Sequence, residues 1–407
     1  LSSCDYLDIV PDERAQESDT WKTEGAVRGY LYSCYGYLPA NRTFGNSYWL
    51  AEELTAVTKE LFTTFKYGYY SPVSLGFTSN TWSTIWNGIH QCYMFQESLK
   101  QVSNEYVTDE MKKQYLAESN FLIAYYHFLS MRSYGPTMII RSVIDLETPI
   151  SGFPERSSID EVVAFINENL DEAMSEGGLP TTWSGKDYGR ATRLAALALK
   201  SRVYLYAASP LYNGNTEMYA DFRSPLDGRQ LIAQEKSQAK WEISATQTKY
   251  AIDEVEKAKF HLYHDADAGE PSDAKPGLPN KAQRRLRYTN IDNQTGNNPE
   301  IIWADTRNDD YYGIQRRCPP RQTLGGKFAG ISMTNCPTLQ TIEAFYTKNG
   351  LPINKDKTFD YDERYEYISA PENCDGNNYE DLVKYANFTP SSDKVMRLCT
   401  DREPRFY

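Results

Sequence analysis

The sequence predicts a mostly α fold: tetratricopeptide-like helix pairs forming an α/α superhelical scaffold, with long loop excursions and a few short strands. Apolar residues recur at steps of three and four in several stretches, and short links join some of these stretches. Two connections are much longer than helix packing requires.

The first stripe, Val27, Tyr30, Cys34 and Leu38, is the least regular, and Trp82, Trp86, Ile89 and Tyr93 form the next. From Glu110 to Tyr134, Ala117, Phe121, Ala124, Phe128 and Met131 alternate steps of four and three, and Gly135-Pro136 ends the helix. The link from Val102 to Asp109 is short enough to place these two helices antiparallel. Ser158 with Glu161 has capping-box spacing before Ile159, Val163, Ile166, Leu170 and Ala173, and Gly177-Gly178 stops that run. From Ala191 to Ala208 the chain is nearly apolar and rich in small residues, which predicts a central helix approached closely by its neighbours before Ser209-Pro210 breaks it. Trp241, Ala245, Thr248, Ile252 and Val255 predict a last stripe. No clean repeat of about 34 residues is visible, so any helix-pair repeats are degenerate.

The 407 residues suffice for one large irregular domain or two to three ordinary ones, and 40% apolar with 24% charged residues is ordinary for a globular chain. The net charge of -12 disfavours nucleic acid and anionic lipid surfaces. No apolar run approaches the roughly 18 residues of a membrane-spanning helix, so a membrane tie is expected only through a lipid anchor. Leu1-Ser2-Ser3-Cys4 has the residue order of a bacterial lipoprotein cleavage site and predicts lipidation of Cys4, followed by a polar tether from Asp12 to Thr20. The other cysteines show no CxxC, so a zinc site is not expected and their pairing is open. The expected organisation is an anchor and tether over 1–19, a helical scaffold over 20–260 with a ligand-loop insertion near 39–81, and a loop-rich region over 261–407.

Aromatic content is unusual: 32 tyrosines outnumber 24 glycines. Many rings fall in the two long connections, from about Pro39 to Thr81 and from about His261 to Thr338. The first holds Phe44, Tyr48, Trp49, Phe62, Phe65, Tyr67, Tyr69 and Tyr70; the second holds Tyr288, Trp303, Tyr311 and Tyr312. A pyranose presents an apolar C–H face that packs on a flat ring, while its hydroxyls need Asn, Asp, Glu or Arg at the edges. Trp49, Tyr67, Tyr69, Tyr70, Tyr311 and Tyr312 are therefore candidate glycan-stacking residues, with Glu53, Asn80, Arg307 and Asp309 as edge partners. The plainer reading, rings filling a loop-rich core, stands beside it for each ring. Arg284, Arg285, Arg287, Arg316, Arg317 and Arg321 would favour an acidic sugar if they face the ligand, or form a solvated face if they do not.

The run from Gly189-Arg190-Ala191-Thr192 to Ser209-Pro210-Leu211-Tyr212-Asn213 resembles a signature helix of the SusD/RagB family of Bacteroidota outer-membrane lipoproteins. Further resemblances, in family order, are Cys4 to Asp8, Ala117-Glu118 through Gly135-Pro136, Asn298 to Trp303, Cys336-Pro337-Thr338, and Asp401-Arg402-Glu403-Pro404-Arg405-Phe406. The resemblance implies tetratricopeptide-like helix pairs with ligand on the loops. It also implies capture of an oligosaccharide or polysaccharide at the cell surface, and delivery to a SusC-type TonB-dependent transporter in the outer membrane. By the same resemblance, the Arg190 motif and its Ala-rich helix are structural. Family members continue beyond the last motif, which implies a further C-terminal part after Tyr407.

Catalytic motifs are scarce. The sequence has no HExxH, GxxxxGK or GxSxG, and only four histidines, of which His127 sits in an apolar helical pattern and reads as packed structure. Asp265 and Asp267 flank a small residue in a D-x-D string that would offer calcium oxygen ligands. It is too short for an EF-hand loop and reads first as a solvated acidic turn, so no cofactor is expected. A binder rather than an enzyme is the expectation. The alternatives are an all-helical glycoside hydrolase, which needs two carboxylates across the bond, and a lipoprotein of the same family that captures peptide.

Overall fold

The computed structural model describes residues 21–39, 52–56, 71, 77–145, 147–264, 289, 298–307, 335–369 and 394–406. These fall into two compact units. The first draws on Leu1–Leu38, Leu75–Lys259 and Ile302–Ala304, the second on Pro39–Ser74, Phe260–Ile301 and Asp305–Tyr407.

The first unit is built from α1 (Glu24–Tyr35), α2 (Phe77–Leu99), α3 (Asp109–Tyr134), α4 (Ile159–Ala173), α5 (Arg193–Ala208), the single turn α6 (Thr216–Tyr219) and α7 (Gln238–Lys257). Successive long helices pack on one another, α1 on α2, α2 on α3, α3 on α4, α4 on α5 and α5 on α7, which is the helix-pair architecture predicted. Local chemistry sets the starts. The side chains of Thr23, Thr108, Ser158 and Thr192 each accept a first-turn backbone N–H, and Ser158 with Glu161 closes a full capping box. The Glu161 carboxyl is held below its usual range by hydrogen bonds from the Ser158 backbone and hydroxyl. Gly135 ends α3 at φ 71°, a conformation that suits glycine and turns the chain into Pro136. Thr137–Met138 (β2) then pairs antiparallel with Arg156–Ser157 (β3), Thr137 opposite Ser157.

The most enclosed helix is α3, not the Ala-rich α5. Every residue from Phe121 to Met131 except Tyr125 is buried, while α5 buries Leu194 to Leu197, Leu199 and Val203 but leaves Leu205 half exposed. Helix α3 lies between neighbours, and small residues let them come close. A Cβ on Gly88 of α2 would stand 2.7 Å from the Tyr126 ring, whose hydroxyl donates to the Cys34 carbonyl at 2.6 Å. Helix α7 also departs from its predicted stripe. Its buried line runs through Ser244 and Ala251, whereas Ala245 and Ile252 are exposed. Small side chains win that position because α7 approaches α5 closely. Ser201 and Thr248 share a 2.7 Å hydrogen bond, and Arg193 reaches Glu254 at 2.8 Å and the Tyr250 hydroxyl at 3.1 Å.

His127 is fully buried between Trp86 and Phe165, consistent with the packed role expected for it. Its Nδ1 lies 2.8 Å from the Ile123 carbonyl and its Nε2 accepts the Ile140 N–H at 3.4 Å, which sets the neutral Nδ1–H tautomer. Burial pulls its pKa down to about 4. The unfolded imidazole therefore takes up a proton near its ordinary value while the folded one does not. Its stabilising contribution is complete above that value and is lost as pH falls from about 6.5 through 4, roughly 3 kcal/mol across the window. Thermal midpoints should fall over that range, and the fall should shrink in His127→Gln. An unchanged acid slope in a folded His127→Gln protein would refute the assignment.

Among the described residues, the second unit contains two further ribbons. Leu54–Ala56 (β1) pairs antiparallel with Asn335–Pro337 (β4), with Leu54 opposite Pro337, and Tyr367–Ser369 (β5) pairs with Lys394–Met396 (β6). Leu339–Ala344 forms α8, capped by Thr338. Ile353, Phe359 and Leu398 make a small core with Ile342, Tyr361 and Met396 against it. Beside it, Asp356 accepts from Thr347 at 2.6 Å, from the Thr358 hydroxyl and N–H, and from Asn349. These bonds, Thr347 first, hold its carboxyl far below the carboxylate range.

Candidate functional site

Described backbone brings the two long connections together in the second unit. The β1–β4 ribbon joins residue 54 to residue 337, and the Thr338 hydroxyl extends the junction by donating to the Glu52 carbonyl at 2.8 Å. The Glu53 carbonyl accepts from the Thr338 N–H and the Thr341 hydroxyl, each at 3.0 Å, while the Glu53 side chain is exposed. Backbone pairing fixes the position of this residue and leaves its carboxylate at the surface.

Arg307 makes the second junction. Its Nη2 donates to the Pro39 carbonyl at 2.9 Å and to Asp305 Oδ2 at 2.5 Å, and its Nε donates to Asp305 Oδ1 at 2.8 Å. Burial pushes the Asp305 carboxyl up, but the Arg307 hydrogen bonds and charge outweigh it, and the group sits below its usual range. This guanidinium clamps two segments of protein in addition to the edge role the sequence proposes for it. Asn80 lies in the first turn of α2. Trp49, Tyr67, Tyr69, Tyr70, Asp309, Tyr311 and Tyr312 lie outside the described residues, as do Cys4, Asp265 and Asp267 and the six arginines considered for an acidic sugar.

One loop ring changes role. Trp303 belongs to the helical unit, where it meets Phe121 edge-on at 5.1 Å and Tyr125 at 5.5 Å, and its indole N–H donates to the Gly189 carbonyl at 2.8 Å. It is an anchor, because the apolar ring finds the aromatic face of α3 and its one donor is satisfied there. The Asn298-Pro299-Glu300 turn before it is structural too. Pro299 accepts from His261, Glu300 from the Tyr263 N–H at 2.8 Å, and Asn298 donates to Thr289.

The Arg190 motif is structural in the same sense. Glu118, with no exposed surface, accepts from Arg190 Nε at 3.2 Å, from Arg190 Nη2 at 2.5 Å and from the Tyr35 hydroxyl at 2.6 Å. Arg190 also pairs with Asp187 at 2.8 Å and lies 4.0 Å over the Trp183 ring. Among the described residues there is no group of three or more His, Cys, Asp and Glu that would hold a metal ion, and no helix is long and apolar enough to cross a membrane.

Sequence reasoning passed over a second set of aromatic residues, Tyr346, Tyr365 and Tyr367, which are 44%, 42% and 64% exposed. The signal was present as three tyrosines, Tyr361, Tyr365 and Tyr367, within one short acidic stretch.

The helix pairs of the first unit have the tetratricopeptide-like helical fold of SusD-like proteins. Residues 5–205 match the family model described as "Starch-binding associating with outer membrane". Over those residues the chain is similar to the SusD-like family. The solved structure of the protein BT4246 is similar at 29% identity and a TM-score of 0.72, covering 95% of this chain and 64% of that one. A SusD-like protein from Bacteroides fragilis, at 19% identity, covers 97% of this chain and 61% of its own with a TM-score of 0.64. A SusD superfamily protein from Parabacteroides distasonis, at 17% identity, covers 84% of this chain and 62% of its own with a TM-score of 0.54. These last two likenesses concern the fold alone. The chain spans just under two thirds of the length of each of these solved relatives. No curated protein matches it.

Proposed function

We propose that this chain is the glycan-capturing part of an outer-membrane lipoprotein, anchored through Cys4, that holds oligosaccharide on the loops of its second unit and passes it to a SusC-type TonB-dependent transporter. The observation that carries the reading is the junction of the two ring-rich connections, Leu54 opposite Pro337 and Arg307 on Pro39, within a chain similar to a family described as starch-binding and associated with the outer membrane. Stacking faces are shallow, and sugar hydroxyls exchange water for protein at small net gain, so affinity per chain end is modest and release to a transporter is easy. Trp49, Tyr67, Tyr69, Tyr70, Tyr311 and Tyr312 supply faces in this proposal, and Glu53, Arg307 and Asp309 supply edges; Asn80, in α2, belongs to the first unit and is left out of it.

Native electrophoresis through gels containing single polysaccharides tests it. Trp49→Ala or Tyr69→Ala should weaken retardation by about tenfold in dissociation constant while thermal midpoints stay unchanged. Normal retardation of both folded variants would remove the site from the first connection.

A further inference from the structure

Tyr365, one of the exposed tyrosines of the second unit, belongs to a preformed stack. Arg364 Cζ lies 4.0 Å from the centroid of the Tyr361 ring and 4.4 Å from that of Tyr365, so one guanidinium is held between two rings. Glu343 of α8 accepts from Arg364 Nε at 2.6 Å and from the Tyr365 hydroxyl, both through Oε1. Arg364 Nη1 donates to the Tyr361 carbonyl at 2.9 Å. A tyrosine 42% exposed ordinarily keeps rotamer freedom that a ligand must freeze. This one is fixed at one face by the cation and at its hydroxyl by the carboxylate, and its ring still meets solvent. Tyr367, two residues on, adds a ring that is 64% exposed.

We propose that Tyr365 and Tyr367, with Glu343 Oε2 as hydroxyl acceptor, form a second saccharide platform that takes neutral pyranose units. The flat, immobilised Tyr365 ring matches the C–H face of a pyranose, and stacking on it freezes little further side-chain freedom. Neither contact of Glu343 uses Oε2, and hydrogen bonds from Tyr365 and Arg364 hold the carboxyl below its usual range, so a charged acceptor stands beside the ring. The surroundings select against anions. Asp360, Asp362, Glu363 and Glu366 are all exposed here, and Arg364 is already engaged by Glu343. The same carboxylates argue against a protein partner, since interface cores are depleted in Asp and Glu. The ligand class rests on the glycan-capture reading; the residues are independent of the two long connections.

The test compares the chain with Tyr365→Ala, Tyr367→Ala, Glu343→Gln and Trp49→Ala in native gels containing starch, laminarin, xylan or galactomannan, and in gels containing alginate or polygalacturonate. The expected result is retardation by at least one neutral polysaccharide, weakened about tenfold by Tyr365→Ala and severalfold by Tyr367→Ala and by Glu343→Gln. Tyr367→Ala removes a more exposed ring, so it carries the test if Tyr365→Ala disturbs the stack. If Tyr365→Ala and Tyr367→Ala bind as the parent does while Trp49→Ala does not, the platform is wrong and glycan capture stands. Retardation by the anionic polymers alone overturns the neutral class. No retardation in any gel overturns the platform and glycan capture together. A dimer in gel filtration that disappears in Tyr365→Ala, with glycan binding unchanged, would make the surface a protein interface.

Discussion

Replacing Arg190 by alanine should destabilise the helical unit by about 3 to 5 kcal/mol, because the change strands a carboxylate that has no access to water. Glu118 is fully buried, and two of its three side-chain donors are guanidinium nitrogens. The Tyr35 hydroxyl that remains is itself an acceptor for the Ala191 N–H, so the loss reaches the start of α5. The Trp183 ring loses its cation as well. Arg190→Lys should recover only part, since an ammonium cannot span both carboxylate oxygens and Asp187 at once. Pairing Arg190→Met with Glu118→Gln should be milder than Arg190→Ala, because no buried charge is left without its counterion. Urea unfolding followed by circular dichroism measures all of these. An Arg190→Ala protein within about 1 kcal/mol of the parent would show that the pair is not a keystone.

Arg402→Ala should have a comparable effect in the second unit, at about 3 kcal/mol or more. Arg402 is 2% exposed and serves main-chain carbonyls: Nη1 donates to Leu398, and Nη2 donates to Ile342 and Phe345, each at 2.6 Å. Its Cζ also lies 4.7 Å from the centroid of the Phe406 ring. Charge-assisted bonds of this kind contribute about 1.5 to 3 kcal/mol each, and three carbonyls lose their donor together. The carbonyls belong to the end of α8 and to the turn after β6, so amide exchange should accelerate over Leu339–Thr347 and Leu398–Phe406. Unchanged exchange there would mean that the small core around Ile353 and Phe359 holds the region without the clamp.

Much of the helical unit was legible because its determinants are local. The Ser158–Glu161 box, the glycine stop at Gly135 and the apolar steps from Ala117 to Met131 depend on residues within a turn or two of each other. Periodicity misjudged α7, where the side facing α5 runs through Ser244 and Ala251 and leaves Ala245 and Ile252 exposed. It also misjudged the centre, because an Ala-rich run and a helix enclosed on every side look alike in one dimension. Trp303 was read as a loop ring because its partners, Phe121 and Gly189, are distant in sequence. The same distance hid the β1–β4 ribbon, whose strands are three residues each and carry no alternation to announce them. The rings of the long connections give only an expectation of a site there, since most of them lie outside the described residues. The Tyr361–Arg364–Tyr365 stack was not recognisable, since three tyrosines in an acidic stretch read as ordinary surface until Glu343 arrives from α8.

The central claim is that this chain binds glycan and leaves it intact. A glycan-array screen of the protein lacking Cys4, with reducing ends assayed on every glycan that binds, tests it most directly. Binding to at least one neutral glycan family at roughly micromolar to millimolar dissociation constants, with no new reducing ends, is the expected result. New reducing ends, or binding to extended peptides with no glycan bound, would contradict it.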